Sequence, residues 1–144
     1  MNSKSIRTDP CFLRNEYPPI GRFEFAPIRK QNIPLDDIKL LACSDTRENE
    51  SPDYKKYGVH FFVDDFRFSG IFSHPHTTVD KFSQYAFVMT PDFSLYREMP
   101  RWRQIESIGK NRWIGAYWQD KGLLAIPTIS WSDYVSYSYC VDSI

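Results

Sequence analysis

Three short apolar runs, each running straight into acids or hydroxyls, constrain this chain more than any other feature. They are GVHFFVDD at residues 58–65, AFVMTPDFS at 86–94 and LLAIPTISWSD at 123–133. Short apolar runs of this kind, bounded by polar residues, read as buried strands. The stretches between them carry helix-end markers. Pro75 and Pro100 suit the first position of a helix, where the missing N–H has no partner to lose. Lys121 and Gly122 match a cationic last turn followed by a glycine just past the helix end, and Ser132 suits the cap of a last helix. The pattern predicts strands at 37–43, 59–63, 86–89 and 123–129, helices at 75–84 and 100–121, and a helix or helical turn at 133–141. Strands alternating with helices in β-α-β-α-β order give an α/β fold. Its mostly parallel sheet has about four strands and right-handed crossovers, or forms an incomplete (β/α) barrel. Weak alternation within the strands predicts a sheet covered on both faces. The expected core includes Leu40, Leu41, Val59, Phe61, Phe62, Val63, Phe87, Val88, Met89, Leu124, Ile126 and Ile129.

A chain of 144 residues fits one domain, 1–144, with a real core. Residues 1–32 are irregular: Pro18, Pro19 and Pro27 exclude a long helix or a central strand. Their spaced apolar residues predict a segment wrapped over the α/β core of 37–144, and the polar stretch 44–57 reads as an exposed loop. Formal net charge is zero and the pI is about 6.8, which argues against a broad electrostatic grip on nucleic acid or anionic membrane. No signal-peptide pattern is present, and no apolar stretch reaches the roughly 20 residues of a membrane helix. The chain is expected to be soluble and cytoplasmic, without membrane. Cys11, Cys43 and Cys140 lack CxxC spacing and read as packed, reduced thiols. Aromatic residues make up 17% of the chain. Most must fill a core, and the remainder can stack on a base, a ring or a partner.

If the apolar runs are parallel strands, their polar ends gather on the edge where α/β sheets bind ligands. Asp64 or Asp65, together with Asp92, could hold a hard cation such as Mg²⁺ or Mn²⁺ and activate water for phosphoester cleavage. Aspartates at strand ends also simply make turns. Thr128 and Ser130 share one side of their strand, and Ser132 and Asp133 open a helix whose N–H groups could hold a phosphate. N-capping accounts for the same residues. In the helix 100–121, Arg101, Arg103, Lys110 and Arg112 alternate with Trp102, Trp113, Tyr117 and Trp118. Arg101 and Arg112 lie on one face with Ile105 and Ile108, which leaves them ion-paired, with Asp64 or Asp92 as candidate partners, or reaching for an anion. Alternatively the helix is amphipathic, with tryptophans inside and basic groups in solvent. His74 and His76 flank a helix start and read as solvated. His60 reads as packed, with a His60–Asp64 relay as the alternative. Tyr96 follows Asp92 closely enough to donate a hydrogen bond near the site.

The series CFLRNE, GRF, SDT, GVHFF-DD-RF, PDFSLY, MP-WRQIES, KNRW-GAYWQ-KG and IPTISWS resembles a bacterial and phage family, domain-of-unknown-function family 4417, from Cys11 onward. The resemblance implies an intracellular protein of phages, prophages and other mobile elements, and brings no activity, substrate or catalytic residue. Members continue past the last motif with at least one more strand and helix, whereas this chain stops at Ile144; either it is a shortened member or another chain completes the fold, and the last strand is then expected as an open edge. Two functions follow. One is a domain for a nucleotide or nucleic acid, with catalytic Asp64, Asp65 and Asp92, metal on Asp64 and Asp92, and Arg103, Arg112, Tyr96, Thr128, Ser130 and Ser132 binding ligand. The other is a non-catalytic protein that binds and modulates a host protein. A homodimer through the open sheet edge is a third arrangement.

Overall fold

The computed structural model describes residues 10–46 and 53–144. Four short strands, β1 (Lys39–Ala42), β2 (Tyr57–His60), β3 (Phe87–Met89) and β4 (Ala125–Ile126), form one all-parallel sheet in the order β1-β2-β3-β4. The sheet is α/β as expected and is not closed into a barrel. Helix α1 (Pro10–Leu13) precedes it. The β2–β3 crossover carries a 3-10 turn at Pro75–Thr78 and α2 (Val79–Phe82). The β3–β4 crossover is the long helix α3 (Arg101–Asp120), and α4 (Tyr137–Cys140) closes the chain.

Register explains the core. Leu41, Val59, Val88 and Ala125 lie in one row across the sheet. The last three are almost fully buried in a cluster with Ile114 and Trp118 of α3 and Phe82 of α2. Consecutive strands in spatial order put these crossovers on the same face. The other face is open: Leu40 and Leu124 are exposed, and Ala42, His60, Met89 and Ile126 are half-buried. The expectation of a sheet covered on both faces is therefore corrected. Leu40, Phe62, Leu124 and Ile129 leave the expected core because short strands expose their ends.

Phe87 is buried on that open side by a local device. It pairs with Gly58, and a Cβ at residue 58 would sit 2.2 Å from the Phe87 ring. The ring occupies the space a side chain would need. Gly58→Ala should cost about 1–3 kcal/mol through overpacking, read by urea denaturation. Stability equal to the parent would show that the ring relocates freely.

The 3-10 turn at Pro75–Thr78 replaces the first part of the predicted helix because Thr77 and Thr78 donate their hydroxyls back to the carbonyls of His74 and Pro75, at 2.8 and 3.0 Å, which tightens the turn. Pro100 is the extended cap residue rather than the first helical one. Gly122, at φ +89°, ends α3 as its position predicts.

The described part of the N-terminal segment crosses α3. The Arg14 guanidinium packs against both the Phe72 and Trp113 rings, 4.3 and 4.2 Å from their centroids. Trp113 Nε1 donates to Glu16, and Phe25 packs on Ile108. Gln119 accepts from Arg29 N at 2.8 Å and donates to Arg29 O at 2.9 Å, as a strand partner would. Residues 1–9 and 47–52 lie outside the described residues, and so does the side chain of Cys11. Cys43 and Cys140 are buried and unbridged. Burial pushes both thiols up, opposite to what a reactive thiolate needs. No described helix is long and apolar enough to cross a membrane.

Candidate functional site

The segments that follow β2, β3 and β4 meet at the C-terminal edge of the sheet. Between them is an open cleft of about 500 Å³, lined by Phe62, Val63, Asp64, Arg67, Asp92, Ser94, Leu95, Tyr96 and Ser130. Each strand contributes: Asp64 and Arg67 after β2, Asp92 and Ser94 after β3, Ser130 after β4. Among the described residues neither Asp64 nor Asp92 joins a salt bridge. Burial raises the Asp92 carboxyl above the ordinary aspartate value; a hydrogen bond from Ser130 works the other way, and the nearby Asp65 carboxylate adds to the rise.

Asp65 has a different job. It accepts from Ser94 N at 3.1 Å and from Ser94 Oγ at 2.8 Å, tying the turn after β2 to the loop after β3. It is not among the cleft-lining residues, because consecutive residues diverge once Asp64 has turned inward.

The loop 91–99 is held in place by α3. Gln104, Ser107 and Asn111, at spacings of three and four, form a buried polar stripe on one helix face. Gln104 Nε2 donates to the carbonyls of Tyr96 (3.1 Å) and Met99 (2.9 Å). Ser107 Oγ donates to Ser94 O at 3.2 Å. Asn111 Nδ2 donates to Pro91 O at 2.8 Å and to Thr128 O at 3.3 Å. The loop thus runs back along the helix and is gripped by its carbonyls at four points, which sets the positions of Asp92, Ser94 and Tyr96. Gln104 Oε1 also accepts from Ser132 Oγ and Tyr139 OH, both at 2.6 Å, so one amide joins the loop to the segment after β4.

The other predicted residues lie elsewhere. Arg112 is fully buried and donates to Asn111 Oδ1 and to the Cys140 carbonyl. Burial lowers its pKa to about 10. Arg101 grips Asp133 through two bonds at 3.0 and 2.8 Å. Neither arginine pairs with Asp64 or Asp92. Arg103 pairs with Glu106 at 2.7 Å. Thr128 is buried behind the cleft, its N–H donating to Thr90 Oγ1 at 2.8 Å. Ser132 does not cap the last helical turn; that cap is Asp133, in a reciprocal box with Ser136, which leaves Ser132 for Gln104. His60 Nδ1 accepts from Phe62 N at 3.1 Å, so this nitrogen is taken up locally rather than by Asp64. His74 and His76 are exposed. No group of three or more His, Cys, Asp or Glu suited to a metal occurs among the described residues.

The sequence reading missed Arg67 and Ser94 in the cleft and the whole polar stripe of α3. The stripe had a signal, three amide and hydroxyl residues at helical spacing inside a helix rich in buried residues. Arg67 had one too, three residues after Asp64 in the same turn.

The chain matches the model of a domain-of-unknown-function family, DUF4417, over residues 19–144. It belongs to the DUF4417 family. Two curated relatives are each called Gene 1 protein. The one from Mycobacterium phage D29 is 32% identical over 137 residues, covering 94% of this chain and 50% of its own. The one from Mycobacterium phage L5 is 41% identical over 86 residues, covering 60% of this chain and 38% of its own. The DUF4417 chain therefore spans about half the length of these relatives or less. No solved structure matches it.

Proposed function

We propose that the cleft binds a phosphate-containing ligand, a nucleotide or nucleic acid, through a Mg²⁺ or Mn²⁺ ion held by Asp64 and Asp92. The observation that carries this reading is the convergence at one open cleft, from three strand ends, of Arg67, Ser94, Ser130 and two carboxylates, Asp64 and Asp92, neither of them in a salt bridge among the described residues. Two carboxylates are too few for a closed protein cage. They suit Mg²⁺, which keeps several waters and takes further oxygens from substrate phosphates. Arg67 supplies a second cation for a phosphate oxygen, while Ser94 and Ser130 give their hydroxyl protons to Asp65 and Asp92 and so orient the acidic wall. A water on such an ion would be the nucleophile for phosphoester cleavage. In this arrangement Asp65 positions Ser94 and does not bind the metal.

Thermal melting with Mg²⁺, Mn²⁺ and a panel of nucleotides tests the reading. Ligand at a hundred times its Kd adds about 2.7 kcal/mol, roughly 5–10 °C for a chain of this length. Asp92→Asn should abolish the shift. The pH dependence has a definite sign. Only the carboxylate binds metal, and the Asp92 pKa is raised, so the Mg²⁺-induced shift should fade on acidification at a higher pH than an exposed aspartate would give. For the free protein the sign reverses. A carboxyl with a raised folded pKa stabilises the fold when protonated and loses that contribution as pH rises through the folded pKa. Asp92→Asn should therefore match or slightly exceed the parent's stability at neutral pH without ligand. An unshifted melt with every ligand would sink the reading.

Exposed Trp102 and Tyr134, which do not line the cleft, favour a second reading, a non-catalytic protein that binds a host protein through aromatic anchors. Capture of one host protein, lost in a Trp102→Ala, Tyr134→Ala double variant, would support it.

A further inference from the structure

Exposed aromatic rings lie within two residues of most polar groups of the cleft; Asp92, whose neighbour Phe93 is buried, is the exception. Phe62 and Phe66 flank Asp64 and Arg67, Tyr96 follows Ser94, and Trp131 follows Ser130. Their exposures are 54%, 71%, 58% and 55%. Phe62 and Tyr96 form part of the cleft wall itself, and the Arg67 guanidinium lies 5.2 Å from the Phe66 ring centroid. The chain has a well-filled aromatic core, with Phe61, Phe68, Phe82, Phe93 and Trp118 all buried. Exposed rings also occur elsewhere, Trp102 and Tyr134 among them, but here two of them, Phe62 and Tyr96, form the wall of the cleft that holds Asp64, Asp92 and Arg67.

We infer that the ligand of this cleft is a single strand of nucleic acid, whose phosphate is held at Asp64 and Asp92 through the metal while its bases stack on the aromatic rim; this rests on the metal–phosphate reading above. Three features favour a strand. The cleft is open rather than enclosed, so a chain can enter and leave it. The rings stand on segments from three different strands, so they offer stacking surfaces on more than one side of the phosphate site, which a lone nucleotide cannot use. Base faces are available only when unpaired. The cleft wall offers few donors for base edges, chief among them the Arg67 guanidinium, so binding should be tolerant of sequence.

Fluorescence anisotropy tests this with labelled DNA and RNA oligonucleotides of about 12 nucleotides, with the corresponding mononucleotides as competitors, in Mg²⁺ and in EDTA. The inference expects an oligonucleotide of either sugar to bind more than about tenfold tighter than the mononucleotide. It expects Phe62→Ala and Trp131→Ala each to lose roughly tenfold of oligonucleotide affinity with unchanged melting temperature, since both rings are exposed. Quenching of tryptophan emission by the oligonucleotide should largely vanish in Trp131→Phe. Equal affinity for mononucleotide and oligonucleotide, or indifference to the ring substitutions, overturns the strand while leaving the metal–phosphate site standing. Oligonucleotide binding that survives EDTA and Asp92→Asn but is lost in Phe62→Ala supports the strand and removes the metal. No binding of either ligand overturns both.

Discussion

Replacing Gln104 by leucine should lower stability by about 3–5 kcal/mol and dismantle the cleft. Gln104 is fully buried, and both ends of its amide are spent: its NH₂ group serves two loop carbonyls, and its oxygen receives two hydroxyls and lies 3.5 Å from Arg101 Nη1. Leucine is close in size but leaves those partners facing hydrocarbon, and each buried unpaired group costs about 1–3 kcal/mol. Some carbonyls will find water, so the total falls short of the sum. The loss should appear in urea denaturation as a lower midpoint with unchanged slope. A companion variant localises the effect. Gln104→Glu keeps the acceptor for Ser132 and Tyr139 but removes the donors of the Tyr96 and Met99 carbonyls, so it should loosen the loop 91–99 selectively. Faster amide exchange in 92–99, with the segment after β4 protected, is the expected signature. A Gln104→Leu protein as stable as the parent would mean that the stripe is dispensable.

The second large effect lies in the core. Trp118 is fully buried, its ring centroid 5.8 Å from that of Phe61 and 5.6 Å from that of Phe82. Its Nε1 donates to Thr78 Oγ1 at 3.2 Å. One side chain therefore joins α3, the segment after β2 and the β2–β3 crossover. Trp118→Ala removes a fully buried indole and leaves a cavity, at about 3–5 kcal/mol, roughly 10–15 °C in melting temperature for a chain of this length. Trp118→Phe should recover most of that and leave the indole bond as the residual difference. A melting temperature within about 2 °C of the parent for Trp118→Ala would show that the three elements are not coupled through this ring.

The sheet was legible because its strands are short apolar runs closed by polar residues, and because proline and glycine sit at the ends of the helices between them. The gathering of Asp64, Asp92 and Ser130 followed from parallel direction alone. What stayed hidden was side-chain partnership. Arg112 carries a charge that usually means a ligand or an ion pair, yet it settles on Asn111 and a backbone carbonyl, a choice visible only once α4 is in place. Asp64 and Asp65 look alike in a string, and it took the backbone turn to send one into the cleft and the other to Ser94. Ser132 seemed a cap until its neighbour Asp133 took that role. The open face of the sheet was misread because apolar strand residues look the same whether or not a second layer covers them.

The strap across α3 bears on how the chain is made. Arg29 and Gln119 are 90 residues apart, so at about 5–20 residues per second the strap leaves the ribosome roughly 5–20 s before its partner exists. During that interval Phe25 has no surface to dock on, and Arg14 has the Phe72 ring but not that of Trp113. A segment synthesised well before its partner is therefore among the last to settle, and a nascent chain stalled ahead of α3 would carry it open to proteases and chaperones.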